Sequence, residues 1–211
     1  GCMLLLDCRD ESVEHVEFNH DQLALAVINS HVRHELSQGE YAIRRQRCES
    51  VSKTLGLESL RDLTWSMLEQ SRGQLDDLSF LCAEHVVREN ERTLNFVQYM
   101  KNSDWLQAGE MLYQSHASLR EKFQVSCIEL DGLVEFAREL GPEGGVLGAR
   151  MTGAGFGGSV IVLAEREKAS NVVSKIVEDY NQIGATLARP RASGFVAEPT
   201  AGANVTRFIV G

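Results

Sequence analysis

MTGAGFGGS, residues Met151–Ser159, is the stretch on which the fold turns. Gly153, Gly155 and Gly158 satisfy G-x-G-x-x-G, the spacing of dinucleotide-binding loops. That chemistry needs strand, loop and then helix, with phosphate at the helix N-terminus. Here SVIVLA (Ser159–Ala164) continues as a strand, and helical spacing begins only near Glu167. A Walker loop is excluded too, because no Gly-Lys-Ser/Thr follows. What remains is a glycine-rich bend joining two strands. Its four glycines, Gly153, Gly155, Gly157 and Gly158, permit positive φ and close approach of another backbone or a ligand. Successive amides in such a bend form an anion-binding concavity. Spacing alone leaves that reading open beside a plainer one, a tight hairpin in which glycine only relieves crowding.

Working outward, VLGARM (Val146–Met151) is the strand entering the bend. Ala169, Val172, Val173, Ile176, Val177 and Tyr180 mark an amphipathic helix beyond it. ATLAR (185–189) and VTRFIV (205–210) read as final strands separated by a Pro-, Gly- and Ala-rich loop, Pro190–Ala203. Upstream, MLLLDC and VEHVEF read as a hairpin across Asp10-Glu11-Ser12, and LALAVINSHV (Leu23–Val32) as a third strand. Ser37 and Glu40 have capping-box spacing, opening a helix that runs to Gly56. Ser126 and Glu129 repeat that spacing before a helix with Leu130, Leu133, Val134 and Ala137 on one side. Residues 57–140 are mostly helical, including Trp105–Leu119 and a core-facing stripe of Ala83, Val86, Val87, Asn90, Leu94 and Val97. Strands, helices, then strand–turn–strand–helix–strand predict an α+β fold, an antiparallel sheet packed against helices.

The 211 residues, 43% apolar and 24% charged, suit one large globular domain or two small ones. A net charge of -9 argues against duplex nucleic acid and anionic membrane as partners. Small anions are not excluded, since backbone amides bind phosphate without net positive charge. Cys2, Cys8, Cys48, Cys82 and Cys127 are odd in number and form no CxxC pair, so neither zinc nor a disulfide scaffold is expected. The longest apolar runs, Met3–Leu6 and Val160–Ala164, fall far short of the roughly 20 residues of a membrane span. No signal peptide is visible, and a cytoplasmic location is the default.

GARMTGAGFGGS (148–159) resembles the third conserved motif of the GHMP kinases, with the Arg-Met form seen in galactokinases. Other segments resemble the same family in the expected order: LLLDCRD (4–10), NSHVRHELSQGEYAIRRQRCE (29–49) and QSHASLREKFQVSCIELD (114–131). The resemblance covers nearly the whole chain. It implies a GHMP kinase C-terminal domain over 21–211, with a ferredoxin-like core and a helical insertion. Residues 1–20 would be the terminal hairpin of a missing N-terminal domain. It implies transfer of the ATP γ-phosphoryl group to the C1 hydroxyl of galactose, with Mg²⁺. Thr152, Gly153, Ala154, Gly155, Phe156, Gly157 and Gly158 would lie beside the nucleotide phosphates, and Tyr41 would contact the sugar.

The departures matter as much. The family's Gly-Glu-His-Thr-Asp, Gly-Leu-Ser-Ser-Ser and Met-Asp-Gln motifs are absent, so no catalytic residue is expected in this chain. Asp21-Gln22 falls after the DCRD landmark and is not the catalytic pair. ATP and Mg²⁺ would be held mainly by the N-terminal half, the fragment alone would be inactive, and no metal ligand is assigned here. Ala154, Ser159 and Ile128 are mild departures for a frequent glycine, cysteine and proline. Two alternatives stay open: a sugar-sensing or regulatory paralogue, and a kinase for a related sugar such as N-acetylgalactosamine. Among other residues, His31, Arg33 and His34 read as loop residues and Arg44, Arg45 and Arg47 as solvated helix charge. His85 reads as helix surface and His116 as a hydrogen-bonded structural histidine. Trp65 and Trp105 read as core or domain-contact residues.

Overall fold

Alternation and β-branched content give the strands, which assemble into a hairpin and a four-stranded sheet. The computed structural model describes residues 1–33, 37–186 and 189–197. β1 (Cys2–Asp7) and β2 (Ser12–Glu17) form a separate antiparallel hairpin, with Cys2 opposite Glu17 and Asp7 opposite Ser12. β3 (Leu23–Arg33), β4 (Val146–Thr152), β5 (Gly157–Glu165) and β6 (Ser193–Ala197) make a four-stranded sheet ordered β4-β5-β3-β6. Every pairing in it is antiparallel. The order is that of a ferredoxin-like core, and the expected helical insertion separates β3 from β4. It comprises α1 (Ser37–Thr54), α2 (Trp65–Gln70), α3 (Asp77–Lys101), α4 (Trp105–Glu121) and α5 (Ile128–Leu140). α6 (Ala169–Thr186) crosses from β5 to β6.

The period of two divides the sheet's side chains between two cores. Ala24, Ala26, Ile28, Ala149, Met151, Val160, Val162 and Ala164 face one side. There they meet Leu130, Leu133, Val134 and Ala137 of α5 and Val172, Val173, Ile176 and Tyr180 of α6. Leu23, Leu147 and Leu163 face the other side and pack on Val97, Met100 and Ala108 together with Val16 and Phe18 of the hairpin. A third core joins Val51 to Leu60, Leu63, Leu68, Ala83 and Val87, under α1, α2 and α3. Trp65 borders the third core and Trp105 the second. The hairpin tip is held by ion pairs Arg9–Asp62 (2.7 Å) and Arg61–Asp7 (2.5 Å).

Several expectations are corrected. Ala185 and Thr186, the start of the expected strand ATLAR, belong to α6, while the last sheet strand, β6, lies within the expected loop Pro190–Ala203. The misleading signal was Gly194. A Cβ there would sit 3.0 Å from both Val173 Cγ1 and the Val27 carbonyl, so this glycine marks a strand squeezed between β3 and α6. VTRFIV lies outside the described residues. Leu94 is 52% exposed rather than on the core stripe, because it faces the groove between the hairpin and the Leu60–Asp62 turn. The Ser126–Glu129 capping box is not formed: Cys127 is the N-cap with no side-chain bond, and the Ser126 hydroxyl donates to Asp131 instead. The Ser37 side chain lies outside the described residues.

α4 and β4 touch backbone to backbone at Gly109 and Gly148. A Cβ on Gly109 would stand 1.9 Å from the Leu147 carbonyl oxygen, and one on Gly148 would stand 2.2 Å from the Gly109 carbonyl oxygen. Neither obstacle is a side chain that can swing away. Gly148→Ala should therefore lower unfolding stability by about 3 kcal/mol, as overpacking of a rigid contact does. A urea midpoint within error of the parent would refute this account of the α4–β4 contact.

Candidate functional site

The glycine bend links β4 to β5, strand to strand, and a helix follows only after β5 and a single 3₁₀ turn at Arg166–Lys168. The dinucleotide reading is therefore excluded by topology as well as by sequence. Gly153 (φ 82°), Gly155 (92°), Phe156 (55°), Gly157 (117°) and Gly158 (90°) all occupy the positive-φ region. Thr152, Gly153 and Ala154 are exposed, and Gly155 to Gly158 are half-buried. Among the described residues the amides of Gly153, Ala154 and Gly155 have no hydrogen-bond acceptor. Consecutive amides freed by positive φ suit an anionic oxygen.

One amide of the bend is committed. Phe156 N–H donates to the Val125 carbonyl at 2.7 Å, tying the bend to the loop that precedes α5. The approach requires glycine next door: a Cβ on Gly155 would lie 2.1 Å from the same carbonyl oxygen. On the β3 side, Ser30 Oγ donates to the Gly158 carbonyl at 2.9 Å, and Arg33 pairs with Gly157 after a bulge. His31 and Arg33 belong to β3 rather than to a loop, and His31, at φ 56°, places Nε2 2.8 Å from Ser193 Oγ. The His34 expectation falls outside the described residues.

The loop itself is gripped from several helices. Arg44 is 7% exposed, so it is not solvated helix charge. Its Nε donates to the Phe123 carbonyl (2.9 Å), Nη2 to the Gln124 carbonyl (3.4 Å) and Nη1 to Glu40 (2.8 Å). Arg45 does behave as surface charge, pairing with Glu49, whereas Arg47 is half-buried, its Nη1 reaching Asp76 (3.1 Å) and Ser79 Oγ (3.3 Å). His85 is 6% exposed, not helix surface; its ring stacks on Phe123 at 4.6 Å and its Nδ1 lies 2.9 Å from Ser118 Oγ. Burial pushes the His85 imidazole down to about 4. His116, read as structural, is buried, and its Nδ1 accepts Met151 N–H at 3.3 Å. Its proton therefore belongs on Nε2, 3.2 Å from Asp131 Oδ1. Burial raises the Asp131 carboxyl, but the adjacent His116 imidazole and the hydrogen bond from Ser126 outweigh that and leave it below the usual range.

On the opposite face of β4, Arg150 donates to the Met151 carbonyl (3.0 Å) and pairs with Glu89 (3.3 Å), which also accepts from Arg92 and Ser115. Tyr41, on the first turns of α1, is 45% exposed and three residues from Arg44. The bend, the Phe123–Val125 loop and the α1 start are thus joined by hydrogen bonds, while among the described residues Tyr41 makes none with the bend. Sequence reasoning missed Arg44 and His85. A signal existed for the first: Arg44, Cys48, Val51 and Leu55 fall at i, i+4, i+7 and i+11, the apolar face of α1. Burial pushes the Cys48 thiol up to about 12 and that of Cys127 up to about 11, so neither is a thiolate nucleophile at neutral pH.

Two outcomes follow. Gly155→Ala adds a Cβ against backbone and strains φ, so it should cost about 3 kcal/mol, whereas Gly153→Ala, with open space around it, should cost only about 1 kcal/mol. Equal losses in thermal melts would contradict the contact to Val125. For His85, the unfolded chain binds a proton below about 6.5 that the folded chain refuses until about 4, so stability falls as pH drops through that window. The loss relative to His85→Gln should be on the order of 3 kcal/mol by pH 4. Parallel stability–pH curves for the two proteins would sink this.

Residues 96–182 match the family model "GHMP kinases C terminal". The chain is 38% identical over 208 residues to the galactokinase of Bos taurus, covering 99% of this chain and 50% of that protein. It is 41% identical over 180 residues to that of Homo sapiens, covering 85% of this chain and 45% of that protein. The chain thus spans about half the length of the curated relatives it matches. Among solved structures, Lactococcus lactis galactokinase complexed with galactose superposes with a TM-score of 0.83 at 30% identity, over 92% of this chain and 50% of that one. The L. major mevalonate kinase, at 0.52 and 19% identity over 96% of this chain and 51% of that one, shares the fold. With its bend running strand to strand, its ferredoxin-like order and these matches, the chain carries a GHMP kinase C-terminal domain, and it is similar to galactokinases over about half of their length.

Proposed function

We propose that this chain is the C-terminal part of a galactokinase, the half that closes a sugar–ATP cleft. The reaction joins the C1 oxygen of galactose to the γ-phosphorus of ATP as the bond to ADP breaks. The hydroxyl proton passes to a base in the other half. The observation that carries the proposal is the bend at Thr152–Gly158: exposed over Thr152–Ala154, with five positive-φ residues, and with the Gly153, Ala154 and Gly155 amides lacking acceptors among the described residues. Phosphoryl transfer depends mainly on positioning and charge stabilisation, which a shaped backbone loop supplies without a reactive side chain. Tyr41, exposed at the start of α1, would hydrogen-bond the sugar.

The phosphates fit this bend; a metal ion does not. Among the described residues no group of three or more His, Cys, Asp or Glu side chains converges. We therefore assign Mg²⁺, the catalytic aspartate and the phosphate loop to the N-terminal half, and derive no step through the ion here. Residues 1–20 are assigned to that half as its terminal hairpin. Leu4, Leu6 and Val13 stand exposed on one side of the hairpin, as expected of a strand pair made to be covered. No helix among the described residues is long and apolar enough to cross a membrane, and we place the protein in the cytoplasm.

The test is complementation. The purified 211-residue chain should give no sugar phosphate from galactose and ATP, and turnover should return when it is joined to an N-terminal half carrying the three absent motifs. Turnover by the chain alone, free of host kinase, would overturn the division of labour. A joined protein that binds galactose but never turns over would favour the sensor reading, and one that turns over only N-acetylgalactosamine would reassign the sugar.

A further inference from the structure

We infer that Arg44 is a positioning residue that locks Tyr41 and the glycine bend into one unit through the loop Phe123–Val125. The inference rests on the reading of those two elements as sugar- and phosphate-facing.

The geometry is specific to a guanidinium. Gln124 sits at φ 56°, a left-handed conformation uncommon for a residue with a side chain. The carbonyls that flank its Cα, those of Phe123 and Gln124, both accept from Arg44, through Nε at 2.9 Å and Nη2 at 3.4 Å. The next carbonyl along, that of Val125, accepts Phe156 N–H at 2.7 Å. One side chain therefore fixes the peptide run whose following oxygen holds the bend. The third contact, from Nη1 to Glu40 at 2.8 Å, fixes the residue immediately before Tyr41. Arg44 is nearly sealed from water, and an aliphatic side chain would fill its space without meeting any of these acceptors. A lysine ammonium could keep Glu40 and one carbonyl but lacks the planar fork that takes two.

A purely structural arginine would lower the stability of the whole domain when removed. A positioning one changes the bend before it changes the rest. The test uses amide hydrogen exchange by NMR on the 211-residue chain and on Arg44→Lys and Arg44→Met. The Phe156 amide should exchange about tenfold faster in both variants, while those of Val162 and Ile176, in the sheet and α6, stay as in the parent. Should Arg44→Met fail to fold, Arg44→Lys carries the comparison. A second readout titrates the parent with inorganic phosphate. Shifts are expected at Gly153, Ala154 and Gly155 and at the Tyr41 ring; in Arg44→Lys the glycine shifts persist and the Tyr41 response is lost. Unchanged Phe156 exchange, or a rise spread equally over every amide, overturns the inference, as does a Tyr41 response that survives Arg44→Lys. A parent chain silent to phosphate at all three bend residues would count against the proposed function, and the Phe156 exchange would still decide the role of Arg44.

Discussion

The hydrogen bond from the Phe156 amide to the Val125 carbonyl, 2.7 Å long, is the constraint around which the site is arranged. It brings a β-turn against a loop, and both would otherwise be free to move. Its geometry leaves no room for a side chain at Gly155. Each partner is then held from behind. His116 accepts from Met151 at the end of β4, Ser30 donates to Gly158 at the start of β5, and Arg44 and His85 hold Phe123. Polar groups buried without partners are costly, so a network in which His116, Ser30 and Arg44 bond backbone groups fixes conformation more firmly than apolar packing alone.

The same contacts explain a division of labour between the two faces of β4. Ala149 and Met151 lie in the core under α5 and α6, while Arg150 crosses to Glu89, which Arg92 and Ser115 also hold, on the other side. The strand entering the bend is thus fixed by dispersion on one face and by charge on the other. Burial pushes the Arg150 guanidinium down, and the Glu89 carboxylate beside it opposes that. An ion pair in this setting specifies geometry more than it adds stability.

Most of the architecture could be read from periodicity. The helical stripe at Val172, Val173, Ile176 and Tyr180 and the α5 face at Leu130, Leu133, Val134 and Ala137 are all buried as expected. The bend was legible because it contradicted its own motif: glycines spaced for a nucleotide were followed by a strand. What sequence hid was tertiary. β6 was disguised by Gly194, which reads as a loop residue and acts as a close-contact residue. His85 and Arg44 were hidden because charge and polarity argue for exposure unless a partner is known, and Ser118 and the Phe123 and Gln124 carbonyls lie 33 to 80 positions away. Ser126 was hidden by a coincidence of spacing, its hydroxyl turned to Asp131 rather than to the helix end. The roles of Tyr41 and of the bend came from family resemblance and not from residue chemistry.

β3 occupies an inner place in the sheet, yet its neighbours are written far downstream: Leu23 faces Glu165 and Leu25 faces Ala197. This apolar strand is made well before those partners, since α1 to α5 lie between β3 and β4 in the chain. Local helical contacts form early, whereas pairings across so long a separation carry a large loop-closure cost and form late. Completing the sheet around Leu23–Arg33 therefore means closing that long separation to β5, an entropic cost that the local helical contacts of α1 to α5 do not carry.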